Sequence, residues 1–138
     1  MKAKEIKFDD FYIYLYTDDG RVGALLLKSF PSLYNATPPQ REQYALGPFG
    51  IHWPELDEDL SYEGFFTDEG AKASNEIAEL FRRFPELNIH QTAKIWGINQ
   101  SLMSKYRNNL KSPSKERIST IKQAARRLGR ELTEWSEE

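Results

Sequence analysis

The chain has no cysteine among its 138 residues, which excludes disulfides, thiolate metal sites and cysteine catalysis. It has no apolar run near the ~18 residues needed to cross a bilayer. Its opening MKAKEIKFDD lacks the apolar stretch of a signal peptide. A cytoplasmic location is the expectation. The acidic first half holds one histidine, His52, and neither a nucleophile–base pair nor a glycine-rich phosphate loop accompanies it. The expected protein is not an enzyme, and no cofactor or metal is implied.

What is present is unevenly distributed. A hydrophobic fraction of 39% with 29% charged residues is that of a globular chain. The net charge of -2 conceals two halves of opposite sign. Residues 1–70 hold 6 Lys/Arg against 13 Asp/Glu, whereas residues 71–138 hold 13 against 8. Within 88–130 there are 10 basic residues and one acid, Glu116. Aromatic residues divide the other way, 13 of the 18 lying in residues 1–70. Such a split predicts two modules with different partners.

The first half has the period of strands. In DDFYIYLYTDDGRVGALLL, Phe11, Ile13 and Leu15 alternate with Tyr12, Tyr14 and Tyr16, giving a strand with two different faces. Asp19-Gly20 predicts a type I′ hairpin turn, with Val22 to Leu27 returning and Lys4 to Phe8 as a shorter strand beforehand. PPQREQY predicts a short helix begun by its prolines. GPFGIHWPEL predicts a last short strand, and DEDLSYEGFF a closing helical turn or two. The expected boundaries are a small α+β domain over 1–66, a linker TDEGAKAS over 67–74, and a helical domain over 75–138.

In the second half the period becomes helical. Ser74 is expected to cap a first helix bearing Ile77, Leu80, Phe81 and Phe84, which Pro85 ends. Asn88 with Gln91 has capping-box spacing for a second. Asn99 can cap a third that buries Leu102, Met103 and Tyr106. Ser114 can cap a fourth through Ile118, Ile121, Ala125 and Leu128, with Gly129 expected to stop it and Trp135 to pack back.

TAKIWGINQSLMSKY meets the mechanical needs of a DNA-reading helix-turn-helix. Ala93 is the small residue where the helices touch, Gly97 supplies the turn, and Ile98, Met103 and Tyr106 anchor the second helix. The stretch NIHQTAKIWGINQSLMSKYRNNLKSPSKERISTIKQAARRLGREL resembles the lambda-repressor-like helix-turn-helix family over most of 75–132. That resemblance implies a recognition helix from Asn99, with Asn99, Gln100, Ser101, Ser104, Lys105 and Asn108 facing the major groove of double-stranded DNA. Their donors and acceptors suit base edges. The groove face holds no Arg, which argues against tight guanine readout. The resemblance further places Gln91 on a backbone phosphate, and Arg107, Lys111 and Lys115 stand where cations would neutralise others.

GIHWPELDEDLSYEGFF gathers His52, Trp53, Glu55, Asp57, Glu58, Asp59 and Glu63. Its favoured reading is structural: Trp53 and Leu56 pack on the sheet, Pro54 ends the strand, and Asp57 to Asp59 cap and charge the first turn of the next element. An enzymatic reading, with paired carboxylates as acid and base or His52 and carboxylates as metal ligands, lacks a completing group, and an acidic docking surface is the third reading. The hairpin start, the DDGR turn and this string resemble the bacterial domain-of-unknown-function family numbered 2442, over about residues 1–66. That resemblance implies a small α+β fold, at times followed by a lambda-repressor-like domain, with small protein partners and no assigned activity.

The expected fold is α+β: a small antiparallel-sheet domain followed by an all-α helix-turn-helix domain. The expected function is sequence-specific DNA binding in transcriptional regulation, as a homodimer, with the N-terminal domain serving dimerisation or partner sensing. The alternative is an antitoxin-like adaptor whose helical domain is structural only.

Overall fold

The structure, a computed structural model, describes residues 2–67 and 75–138. The chain divides into two compact units, Met1–Lys72 and Ala73–Glu138. Of the expected linker, all but Thr67 lies outside the described residues, as does Ser74.

The N-terminal unit opens with a meander of β1 (Ala3–Phe8), β2 (Tyr12–Thr17) and β3 (Val22–Leu26), with β2 central and both pairings antiparallel. The period-2 pattern decides the sides within β2, whereas Phe11, expected with Ile13 and Leu15, precedes the strand and packs with Tyr12 instead. Ile13 and Leu15 join the main core, while Tyr12 and Tyr14 pack with Ala24 and Leu26 on the other face. Asp9 closes the first connection, its carboxylate accepting from the Phe11 and Tyr12 amides at 2.8 and 2.6 Å.

The second turn differs from the type I′ expectation. Gly20 has φ 85°, but Asp19 does not share the positive φ that type I′ requires, and the Gly20 amide bonds to the Thr17 carbonyl at 3.2 Å. This is a three-residue loop, Asp18 to Gly20, closed by a glycine bulge. Asp19 holds it, accepting from the Thr17 hydroxyl and from Arg21 Nε. The Thr17 bond, with help from Arg21, lowers the Asp19 pKa.

A 3-10 turn (Leu27–Ser29) and two one-turn helices, α1 (Pro31–Tyr34) and α2 (Pro38–Arg41), lead to a second meander. Thr37 and Gln40 form a reciprocal capping box at α2. The second sheet is β4 (Ala45–Leu46), β5 (Gly50–Trp53) and β6 (Glu58–Ser61), again antiparallel. Here EDLS is a strand, where helical turns were expected. Asp57 takes φ 49° at the turn, so β6 doubles back onto β5, and the helical turn comes later at Glu63–Phe66. The acids 57–59 therefore form a turn and an edge strand, and cap nothing. Trp53 and Leu56 do pack inward, and Pro54 opens a 3-10 turn as β5 ends. One core unites the two sheets through Ile6, Ile13, Leu15, Ile51, Trp53, Leu60 and Phe65.

The second unit is helical: α3 (Glu76–Arg83), α4 (Ile89–Ile95), α5 (Gln100–Arg107) and α6 (Lys115–Ser136). Asn75 caps α3, accepting from the Ala78 amide at 2.8 Å, where Ser74 was expected to do so. Asn88, Asn99 and Ser114 cap the other three as expected. The core is Ile77, Phe81, Ile89, Ala93, Ile98, Met103, Tyr106 and Ile121.

Gly129 does not stop α6, which runs on to Ser136. One interior glycine costs only about 1 kcal/mol, and good helix formers follow it. Trp135 does not pack back; it is 72% exposed. Among the described residues no helix is long and apolar enough to cross a membrane. The fold is α+β.

Candidate nucleic-acid interface

Four residues, Trp96 to Asn99, join α4 to α5, and their geometry depends on one glycine. Gly97 takes φ 74°. Its amide then reaches the Lys94 carbonyl at 3.3 Å, and the Ile98 amide reaches the Ala93 carbonyl at 2.9 Å. These are the two bonds of a Schellman cap, which satisfies the last carbonyls of α4 and turns the chain sharply. Ile98 is thereby driven into the core beside fully buried Ala93. A Cβ at Gly97 would meet nothing within 4 Å, so the cost of Gly97→Ala is conformational alone, about 1–2 kcal/mol. Urea unfolding of that variant should show this loss with an unchanged far-ultraviolet spectrum; an unaltered midpoint would contradict it.

A second cap of the same kind ends α5. Asn109 takes φ 57°, its amide bonds to the Tyr106 carbonyl at 3.1 Å, and the Leu110 amide bonds to the Lys105 carbonyl at 2.8 Å. Asn75 adds a tie between elements, its side-chain amide donating to the Tyr106 carbonyl at 2.9 Å and to Asn109 Oδ1 at 3.3 Å. Neither residue stood out in the sequence. The Asn-Asn pair at 108–109 was the available signal for the second cap, while Asn75 depends on a contact 31 residues away.

With Met103 and Tyr106 buried, the opposite side of α5 faces out. Gln100, Ser101, Ser104, Lys105 and Asn108 fall within an arc of about 140° at 100° per residue. Ser104 is half-buried and the other four are exposed. Asn99 is exposed as well, but its carboxamide oxygen is taken by the Leu102 amide at 3.1 Å, leaving its NH2 as the outward group. Among the described residues none of the other five side chains has an internal hydrogen bond or ion pair. Each keeps its full donor and acceptor capacity for a ligand.

The expected phosphate contacts are all exposed. Gln91 stands in the first turn of α4, its amide bonded to the Asn88 cap at 3.0 Å. Arg107 ends α5, Lys111 lies in the loop beyond it, and Lys115 is the first residue of α6. A lysine there opposes the helix dipole, so the fold itself gains nothing from it.

The acidic unit presents a different grouping. His52 and Asp59 face each other across β5 and β6, with Nδ1 and Oδ1 2.6 Å apart, both side chains well exposed. Glu58 is drawn elsewhere, accepting from Ser32 Oγ at 2.8 Å. Among the described residues no group of three His, Asp or Glu could hold a metal. Trp53 alternates with His52 and points into the core, its Nε1 donating to the Arg41 carbonyl at 2.9 Å. The string His-Trp-Pro-x-Leu-Asp-Glu-Asp is thus one hairpin with a buried tryptophan and an outward His–Asp pair.

Residues 3–69 match the family described as protein of unknown function DUF2442. No curated protein and no solved structure matches the chain. The DUF2442 match spans both sheets and ends ahead of α3.

Proposed function

We propose that the protein is a sequence-specific DNA-binding regulator that lays α5 in the major groove. The observation that carries this reading is the outward face of α5. Five uncommitted polar side chains stand opposite two buried anchors on a helix fixed by a capped turn. Base edges would be read by Asn99, Gln100, Ser101, Ser104, Lys105 and Asn108, whose amides suit adenine and whose lysine suits guanine or phosphate. Gln91, Arg107, Lys111 and Lys115 would neutralise or bond the backbone on either side. A homodimer on an inverted repeat would double the short sequence that one module reads. The DUF2442-like unit then serves partner sensing, and its acidity weakens nonspecific attachment to DNA.

Fluorescence anisotropy on the DNA upstream of the protein's own gene and on a scrambled duplex, at two salt concentrations, tests this. Tighter binding to the upstream duplex that persists at the higher salt is expected. Gln100→Ala with Lys105→Ala should weaken it about tenfold to a hundredfold while sparing the scrambled duplex more. Equal affinity for both duplexes, lost with salt, would leave only charge attraction. A protein partner is the second reading, favoured by Phe49, which is 84% exposed at the β4–β5 turn near half-exposed Leu46. Absence of binding to either duplex would move the function there.

A further inference from the structure

Ile118, Ile121, Ala125, Leu128, Leu132 and Trp135 succeed one another along α6 at alternating steps of three and four residues. That is the seam of a coiled coil. Its first part is used within the unit, where Ile121 is buried and Ile118 packs against the core. Ala125 and Leu128 are half-buried, and only the end of the seam runs past that core. Leu132 is 58% exposed and Trp135 72%. An apolar groove of about 290 Å³ adjoins them, with Ala125, Leu128 and Leu132 of α6 on one side and Leu80, Leu87 and Trp96 of the same unit on the other.

We propose that this seam seats a second copy of the chain, with the two α6 helices antiparallel. Charge argues for a copy and for that direction. Apart from Glu116, the charged residues from Lys115 to Arg130 are basic, and those beyond, Glu131, Glu134, Glu137 and Glu138, are acidic. Arg126, Arg127 and Arg130 lie beside the seam, while Lys122 is paired to Glu76 at 2.9 Å. An antiparallel copy lays each acidic end on a basic stretch, whereas a parallel copy sets like on like. Side-chain size argues the same way. Antiparallel layers match Trp135 with Ala125 of the second copy and Leu128 with its Leu132, so the largest residue meets the smallest. Parallel layers would set Trp135 on Trp135 and Ala125 on Ala125. Gly129 lies between these layers and carries no side chain, so a second helix can approach closely there. The dimer contact thus lies in α6, leaving the DUF2442-like unit free for another partner.

Sedimentation equilibrium of the full chain, without DNA, measures this directly. A mass of twice 16.1 kDa is expected at micromolar concentration. Leu132→Glu with Trp135→Glu should raise the dissociation constant at least about a hundredfold, with helical circular dichroism retained. A monomeric wild type at about 100 µM, or a double variant as dimeric as the wild type, would overturn the proposal. Because the chain lacks cysteine, single cysteines report direction without removing the seam. Gly129→Cys should crosslink to its copy under mild oxidation and Ser136→Cys should not. Crosslinking at 136, or at neither position, would overturn the antiparallel arrangement. None of these readouts involves DNA, so failure of the DNA-binding reading would leave them unchanged.

Discussion

Trp53→Ala is expected to destabilise the N-terminal unit by about 3–5 kcal/mol, enough to unfold most of a unit this small. Trp53 is the largest fully buried side chain among the described residues and contributes to the core shared by both sheets. Its removal has three consequences. The ring leaves a cavity between sheets that are each only three strands wide. The half-buried Arg41 loses the Nε1 donor to its carbonyl at 2.9 Å, a hydrogen bond worth about 1 kcal/mol. Tyr44, whose ring centroid lies 6.0 Å away, loses its tilted aromatic neighbour. Trp53→Phe separates these contributions, because it keeps an aromatic filler and loses the donor. Urea unfolding monitored by circular dichroism should show Trp53→Phe between wild type and Trp53→Ala. Equal midpoints for the wild type and Trp53→Ala would refute the assignment of Trp53 as the core's centre.

Met103→Ala is expected to cost the helical unit about 2–5 kcal/mol. Met103 has no exposed surface and sits where α5 meets the core with Ala93, Ile98 and Tyr106. A chain of four helices around eight buried residues has few places to recover that packing. Met103→Leu conserves volume and should cost under about 1.5 kcal/mol. In Met103→Ala the transition of the helical unit should move to lower urea, while the fluorescence of Trp53, isolated by replacing Trp96 and Trp135 with Phe in both backgrounds, reports the transition of the other unit unchanged. A shared shift of both transitions would show that the units unfold as one. The specific DNA binding that we propose should fall together with the helical transition, because only an anchored α5 holds its outward face in place.

The elements differ in how much of them could be read from residues alone. Asn88, Asn99 and Ser114 were legible as caps because the bond each makes spans three residues. The β2–β3 hairpin was legible, but its loop type was not: Thr17 and Arg21 settle Asp19 in a conformation that the dipeptide Asp-Gly leaves open. DEDLS misled because acids ahead of an apolar residue look like a helix start, whereas Ile51 and Trp53 across the sheet recruit EDLS as β6. Gly129 misled in the opposite sense, as a stop signal outweighed by its neighbours. For α5, the identity of the outward side chains was readable from spacing. That their hydrogen-bonding groups remain unspent was not.

By itself the sequence determined the α+β class, the two halves of opposite charge, the position of the α4–α5 turn and the burial of Met103 and Tyr106, though Leu102, expected with them, is only half-buried. These rest on periodicity and on bonds between residues close in the chain, where few alternatives compete. Tertiary structure alone decided that β6 is a strand, that Asn75 ties α3 to the end of α5, and that the seam of α6 outruns its own core. Each depends on which surfaces remain uncovered after distant segments have packed, and no local pattern encodes that.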